Sequence, residues 1–227
     1  MKMKKPFGGL TRISGLIALL LVCPSAVKAS DWGLSGNVEM HSRFISTFSG
    51  MDYSENPTMT AEFALTKGPF SFMGFYSADL KDSQTLANFQ EFIVAGSHAI
   101  GKTEVVGMLE VVKFSPLGGV YLYPSVQLIQ PLGGGFEIDF LYCYSIENLH
   151  YDDMKNSSVS KIGLTKKFDN WSITARGHRS GSNTNFSSAI TREISKNVSV
   201  TGFYHATDVM GSPNHFGGIS VGYAFWK

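Results

Sequence analysis

Large apolar residues alternate with small or polar residues in many short segments of this chain. In "ISVGYAFWK", which closes the sequence, every second residue from Ile219 to Phe225 is large and apolar. Successive side chains of a β-strand point to opposite faces, so a period of two predicts strands with one apolar face. Long helical patterns are absent. The alternation predicts twelve strands, at residues 32–46, 58–67, 70–80, 89–99, 103–114, 120–131, 135–146, 158–168, 171–179, 186–194, 198–207 and 215–226.

The face opposite the apolar one carries charged residues in several of these strands. Glu39 and Arg43 share it in the first strand, and Glu137 and Asp139 share it in the seventh. A protein core holds few such charges, because an unpaired buried charge is costly. In a membrane barrel the apolar face contacts lipid and the other face lines an interior that can be polar. We therefore predict an all-β protein, a transmembrane antiparallel up-and-down β-barrel of about 12 strands.

The connections between the predicted strands alternate in length. Long ones such as "SGMDYSENP" and "ENLHYDDMKNS" follow odd-numbered strands, and short ones such as "KGP" and "IGK" follow even-numbered strands. Outer-membrane barrels have this layout, with the short turns in the periplasm. Aromatic residues at strand ends suit the two bilayer interfaces. They are Trp32, Tyr121, Tyr123, Trp171, Tyr223 and Trp226. An exported soluble β-sandwich or a lipocalin-like barrel is the alternative, and it gives no reason for these aromatic residues.

The N-terminal residues indicate export. Lys2, Lys4 and Lys5 precede an apolar run at 13–22, and "AVKAS" offers a cleavage site after Ala29. We therefore divide the chain into a signal peptide at 1–29 and an outer-membrane barrel at 30–227. Cys143 is the one cysteine that the mature chain keeps, so an intramolecular disulfide is excluded.

The near-neutral charge of the chain conceals two halves of opposite sign. Residues 30–150 contain 13 acidic and 5 basic residues, a net charge of −8, and residues 151–227 contain 5 acidic and 9 basic residues, a net charge of +4. The basic half has no dense cluster, so nucleic acid is not an expected partner. No spacing indicates a metal site or another cofactor. "HYDDM" (His150, Asp152, Asp153) offers cation ligands, but loops are commonly polar.

Two segments resemble known families. "ISVGYAFWK" resembles the C-terminal strand of Gram-negative outer-membrane proteins, which the barrel-insertion machinery recognises, although Trp226 and Lys227 follow the aromatic Phe225. The stretch from "LSGNVEMHSRFIS" to "GPFSFMGFYSADL" resembles the start of TorF-type porins. The second resemblance covers about 50 residues. Together they imply a small porin-like barrel in the outer membrane, in contact with its lipid and lipopolysaccharide, and they do not name a solute.

We expect a small channel or porin in which small polar solutes diffuse passively through a charge-divided interior. Acidic side chains from strands one to seven would face basic and histidine side chains from strands eight to eleven. The expected pore-lining residues are Glu39, Arg43, Glu62, Asp79, Glu104, Glu110, Glu137, Asp139, Lys161, Lys167, Arg176, His178 and His205. The same charges could instead pair across the interior and fill it.

Two further functions stay open. In "GHRSGSNTN", His178, Ser180 and Asn183 resemble the His-x-Ser-Asn motif of outer-membrane phospholipase and lipid A deacylases, which implies a lipid-acting hydrolase with a serine nucleophile. Gly181 stands where the motif has Asn, and alternation places His178 on the inward face. We favour a channel over an enzyme. A structural or adaptor barrel within an oligomer or a larger envelope complex is the other alternative.

Overall fold

The computed structural model describes residues 32–116, 120–144, 158–181, 183–209 and 212–225. Strands account for their regular structure, and no helix long and apolar enough to cross a membrane occurs among these residues. The strands are β1 (Gly33–His41), β2 (Phe44–Ile45), β3 (Asp52–Ser54), β4 (Thr58–Lys67), β5 (Phe70–Asp79), β6 (Phe89–Ile100), β7 (Thr103–Phe114), β8 (Val120–Gly133), β9 (Phe136–Tyr144), β10 (Ser158–Lys167), β11 (Trp171–Ser180), β12 (Asn183–Glu193), β13 (Val198–Val209) and β14 (Ser212–Phe225).

Twelve of these strands form a closed antiparallel barrel, as predicted. Each pairs with its neighbours along the chain, and β1 closes the ring by pairing with β14 on one side and β4 on the other. Val38, for example, lies opposite Tyr223 in β14 and Ala61 in β4. Closure removes the open sheet edge, whose unpaired N–H and C=O groups could not be satisfied in hydrocarbon.

The first strand is shorter than predicted. Alternation continues to residue 46, but the barrel strand β1 ends at His41, and Phe44–Ile45 pair with β3 in a separate two-stranded ribbon. The phase also changes, because Phe44 is buried against Phe89 inside the barrel and not on the lipid-facing side. A local period of two could not show this bend, since contacts with a distant strand determine it.

The connections differ in length at the two ends of the barrel, but less regularly than predicted. Residues 42–57 and 80–88 are long connections at one end, whereas residues 68–69 and 101–102 are tight turns at the other. Gly68 and Gly101 have positive φ in these turns. The predicted loop "SGSNTN" is largely strand, because β11 and β12 continue to Ser180 and from Asn183. The ends of β11 and β12 are polar on both faces, so no alternation of apolar and polar residues marks them as strand in the sequence.

The outer wall of the barrel is a band of exposed apolar side chains. Phe92 is 58% exposed and Ile162 is 54% exposed, whereas the adjacent Glu91 and Lys161 take the inward phase. Bilayer hydrocarbon is the environment that suits such a wall. Further exposed members of the band are Phe72, Leu109, Leu128, Phe140, Ile173, Ile190, Ile219 and Val221.

Two of the predicted interface aromatics lie inside the barrel. Tyr121 is 1% exposed and stacks with Tyr123, because odd-numbered residues of β8 point inward. Trp32, Trp171 and Tyr223 are exposed, as expected for interface residues. Trp226, the predicted signal peptide at 1–29 and the loop group His150, Asp152 and Asp153 lie outside the described residues.

Candidate functional site

The connection between β1 and β4, residues 42–57, folds into the barrel, and we call it the inner loop. It contacts inward side chains on both sides of the interior. The ring of Phe48 packs edge-on against Tyr123 of β8, with centroids 6.2 Å apart, and the Phe48 carbonyl lies 3.3 Å from Nδ1 of His178 in β11. The inner loop, which leaves the wall at β1 and returns to it at β4, therefore extends across the interior as far as β8 and β11.

The histidine contact has a defined chemistry. A carbonyl oxygen only accepts, so Nδ1–H of His178 donates to Phe48 O. Nε2 then accepts from the hydroxyl of Ser187 at 3.2 Å. His178 is 2% exposed, and both ring nitrogens are used in positioning the inner loop.

Arg43 fastens the start of the inner loop to its return. Its guanidinium forms ion pairs with Asp52 and, at 3.2 Å, with Glu55. The guanidinium carbon also lies 3.6 Å from the centroid of the Phe216 ring in β14. A planar cation can pair with carboxylates at its edge and stack on a ring with its face. Arg43, predicted as a lining residue of the first strand, is thus a clamp within the inner loop.

Asp79, at the end of β5, joins the inner loop to the second long connection, residues 80–88. Its carboxylate accepts hydrogen bonds from the Ser54 hydroxyl and from Asn56 Nδ2 at 3.1 Å in the inner loop. It also accepts from the backbone N–H groups of Lys81 and Asp82, both at 2.8 Å. The two connections consequently share one carboxylate anchor.

An aromatic cluster fills part of the interior beside the inner loop. Tyr53 of the inner loop packs edge-on against Phe89 and Phe114, each with centroids 5.8 Å apart. Burial raises the pKa of Tyr53, so its phenol stays protonated at neutral pH. Inward positions of β5 to β8 supply five of the other rings, and Phe44 of the inner loop supplies the sixth. The cluster consists of Phe44, Tyr53, Phe75, Phe89, Phe114, Tyr121 and Tyr123.

Two cavities adjoin the inner loop. One of about 250 Å³ lies between the loop and the wall of β6 to β8, and its lining includes Tyr53, Tyr123 and Glu110. The other, of about 330 Å³, lies beside β1 and β11 to β14, and its lining includes Arg43 and Arg176. The interior therefore holds space on both sides of the loop.

Three carboxylates occupy inward positions on the wall formed by β4 to β7. In the strand register, Glu62 of β4 and Glu91 of β6 lie on either side of Phe75 in β5. Glu110 of β7 lies opposite Ile93, two residues after Glu91 in β6. Glu110 is 4% exposed and accepts a hydrogen bond from Ser125 at 3.1 Å. Glu91 was missed by sequence analysis, although its place between the outward positions of Gln90 and Phe92 indicated it.

Basic side chains occupy the wall formed by β10 and β11. Lys161 lies opposite His178 in the strand register, and its Nζ is 4.0 Å from Asp139 Oδ2. Arg176 lies opposite Gly163, with Nε unpartnered in the described part of the protein. The amide of Asn185, 2% exposed and opposite His178, is unpartnered there too. Two side-chain donors, Nε of Arg176 in β11 and Nδ2 of Asn185 in β12, are thus buried without a described partner.

The remaining predicted lining residues lie at the ends of the interior or are fully buried. Glu39 lies 3.4 Å from the His41 ring, and Glu137 pairs with Lys167 at 2.9 Å. Glu104 is exposed beside the tight turn that precedes β7, and His205 is 0% exposed. Opposite charges thus pair locally at several positions, and Glu62, Glu91 and Glu110 form no ion pair with any described cation.

The geometry does not support the hydrolase interpretation. The nitrogens of His178 bond to Phe48 and Ser187, and the hydroxyl of Ser180 contacts the sulfur of Met51 at 4.0 Å. Asn183 pairs with Ser180 in the backbone register and does not orient the histidine. Among the described residues, no group of three His, Cys, Asp or Glu side chains could hold a metal ion.

Comparison of the sequence with protein-family models and with curated proteins finds no match. Solved structures do share the fold. A KdgM porin aligns with a TM-score of 0.60 at 8% identity, over 85% of this chain and 98% of that one. A KdgM porin in complex with disordered oligogalacturonate gives 0.61 at 8% identity over the same shares. A NanC porin gives 0.59 at 12% identity, over 85% of this chain and 99% of that one. At these identities the likeness establishes the barrel fold.

Proposed function

We propose that this chain is a small outer-membrane channel that lets small polar solutes diffuse through a charge-divided interior narrowed by the inner loop. The observation that carries the proposal is a closed barrel with an apolar outer wall and a charged interior that retains cavities on both sides of that loop. An apolar exterior and a polar lumen are the properties that a passive channel in the outer membrane needs. The barrel fold shared with KdgM and NanC porins supports it.

The channel prefers cations over anions. Arg43 is neutralised by Asp52 and Glu55, and Lys161 lies next to Asp139. The carboxylates of the β4 to β7 wall have no such described partner, so the field near the inner loop is negative overall. Fixed lumen charges set ion selectivity. A polyanion such as the oligogalacturonate in the KdgM complex is therefore an unfavourable solute for this chain.

Of the predicted lining residues, Glu62, Glu110, Lys161 and Arg176 act as selectivity elements of this channel, together with Glu91. Residues 1–29 direct export and are removed, and the C-terminal strand is read by the barrel-insertion machinery. Outer-membrane lipid surrounds the apolar wall, and lipopolysaccharide contacts the longer loops. The N-terminal resemblance to TorF-type porins is consistent with this assignment. Assembly into an oligomer or a larger envelope complex would use the outer wall or the loops.

Single-channel recording tests the proposal directly. The protein, purified in detergent from a Gram-negative expression host, is reconstituted into a planar bilayer with a KCl gradient. We expect discrete conductance steps and a reversal potential of the sign that a cation preference gives. A folded barrel that stays silent at all salt concentrations would refute the channel. A conducting barrel with an anion-selective reversal potential would refute the cation preference alone.

A further inference from the structure

The cavity between the inner loop and the wall of β6 to β8 combines aromatic rings with carboxylates. Of the described residues that line it, Glu91 and Glu110 are the only ones with acidic or basic side chains. The rest of the lining is apolar, aromatic or small and polar. Its rings come from Phe48, Tyr53, Phe89, Phe114, Tyr121 and Tyr123.

We propose that this cavity binds small organic cations of the substituted ammonium class, such as choline. The inference deepens the proposed function, because it names the solute class that the interior retains, and it rests on that function for its physiological meaning. The binding itself requires only the folded barrel.

The rings favour a cation of this class over an inorganic one. The face of an aromatic ring attracts a cation, most strongly where water is excluded. A methylated ammonium group has a weakly hydrated surface that rings can cover, whereas a small metal ion keeps oxygen ligands that rings cannot supply. Tyr121 is 1% exposed and Phe89 is 6% exposed, so these rings are largely shielded from bulk water.

The carboxylates supply the charge complement. No described Lys, Arg or His lies within 4.0 Å of either one, and Lys161, the nearest basic residue of the opposite wall, is held beside Asp139. Glu110 accepts a hydrogen bond from Ser125 and also hydrogen-bonds to the carboxyl group of Glu91, so the two side chains share one proton and together carry a single negative charge. A cation in the cavity would compensate the negative charge of this pair at close range, whereas Lys161 acts on it only from a distance beyond 4.0 Å.

The volume is sufficient. An apolar cavity of roughly 150 Å³ already admits benzene, and this one measures about 250 Å³. Hydroxyl groups of serine and tyrosine side chains contribute to the lining, but aromatic rings and aliphatic side chains make up most of it, which favours a compact ligand with an apolar surface. Size, polarity and charge together select a compact apolar cation.

Calorimetric titration of the full-length protein in detergent tests the inference with two probes of the same shape. Choline carries the charge, and 3,3-dimethylbutan-1-ol is its uncharged isostere. We expect saturable binding of choline that is at least about tenfold tighter than binding of the isostere, since a desolvated cation–π site with carboxylates discriminates by charge. Glu91→Gln combined with Glu110→Gln should weaken choline binding by about tenfold and leave the isostere unaffected.

Two further variants separate the site from general effects. Phe48→Leu removes a ring from the lining without altering charge and should also weaken choline binding. Asp169→Asn removes an acidic charge from the exposed turn at 168–170 and should leave binding unchanged. The shift in gel migration between unheated and boiled samples verifies that each barrel is folded.

Equal affinity for choline and its isostere would overturn the inference, as would choline binding that the glutamate double variant leaves intact. Absence of saturable choline binding to the folded wild type would overturn it as well. A conducting barrel that binds no choline refutes this inference and leaves the channel standing. A silent barrel that binds choline through Glu91 and Glu110 refutes the channel and leaves this inference standing.

Discussion

Gly50 of the inner loop lies directly against the imidazole of His178. A Cβ added at Gly50 would stand 2.7 Å from Cγ of that ring, and Gly50 has φ +68°, a conformation that glycine adopts readily and other residues rarely do. The contact joins residues 128 positions apart in sequence and places the tip of the loop against β11. It identifies Gly50 as the position where a single methyl group would move the loop.

Gly50→Ala should therefore displace the inner loop and raise single-channel conductance. Left-handed strain alone costs about 1–2 kcal/mol, and the clash with His178 adds to it, so the population with a displaced loop should rise by about tenfold or more. The measurement is the conductance distribution in a planar bilayer. Gly101→Ala is the matched control, because Gly101 has φ +63° with nothing within 4 Å of an added Cβ. Equal conductance for both variants would show that the loop does not limit the pore.

Arg43→Gln should loosen the same loop by a different route. The substitution removes the ion pairs to Asp52 and Glu55 and the stacking on Phe216. The side chain is 16% exposed, so the pairs are worth somewhat more than surface pairs, and the total loss is about 1–2 kcal/mol. We expect more frequent fluctuations between conductance levels in single-channel records.

Arg179→Gln serves as the control for Arg43→Gln, because Arg179 is an exposed arginine of β11. Asp52→Asn should reproduce part of the effect of Arg43→Gln, and the double variant should be no noisier than Arg43→Gln alone, since Arg43→Gln already removes the pair with Asp52. Fully additive noise would contradict the clamp.

The barrel was predictable because its signal is local. Lipid contact imposes a period of two on each strand, and the limits of β4 and β7 coincide with predicted strands 58–67 and 103–114. The inward placement of Glu137, Asp139 and Arg176 follows from the same period. Tight turns carried their own signal in Gly68 and Gly101.

The inner loop was not predictable, because tertiary contacts determine it. His178 and Phe48 are separated by 130 residues, and neither carries a sequence signal of that contact. Tyr121 and Tyr123 were predicted at the bilayer interface because an aromatic residue suits both lipid and a buried cluster. Which of these two environments the tyrosines occupy depends on which face of β8 points inward. The outward residues of β8, such as Leu122 and Val126, are only moderately more apolar than the inward ones, so the sequence does not distinguish the two faces.

Substitutions of opposite sign should move ion selectivity in opposite directions. Glu110→Gln removes a carboxylate and should lower the cation-to-anion permeability ratio, whereas Lys161→Gln should raise it. An uncompensated charge about 7 Å from a permeating ion contributes roughly 1–2 kcal/mol after screening, so each ratio should change severalfold. Reversal potentials in a KCl gradient measure it. Shifts of the same sign would show that neither residue faces the permeation path.

Gly36→Ala should destabilise the barrel where its first and last strands meet. The ring of Phe225 in β14 covers Gly36, and an added Cβ would lie 2.5 Å from its Cε2 atom. Overpacking of this kind costs about 1–3 kcal/mol, to be measured as the free energy of unfolding in urea with the protein in detergent micelles. Gly202→Ala is the matched control, because an added Cβ there meets nothing within 4 Å. Combining Gly36→Ala with Phe225→Leu should recover part of the loss, since the smaller side chain makes room for the methyl group. Equal stability of the Gly36 and Gly202 variants would mean that the ring moves aside freely and that Phe225 does not brace the closing seam.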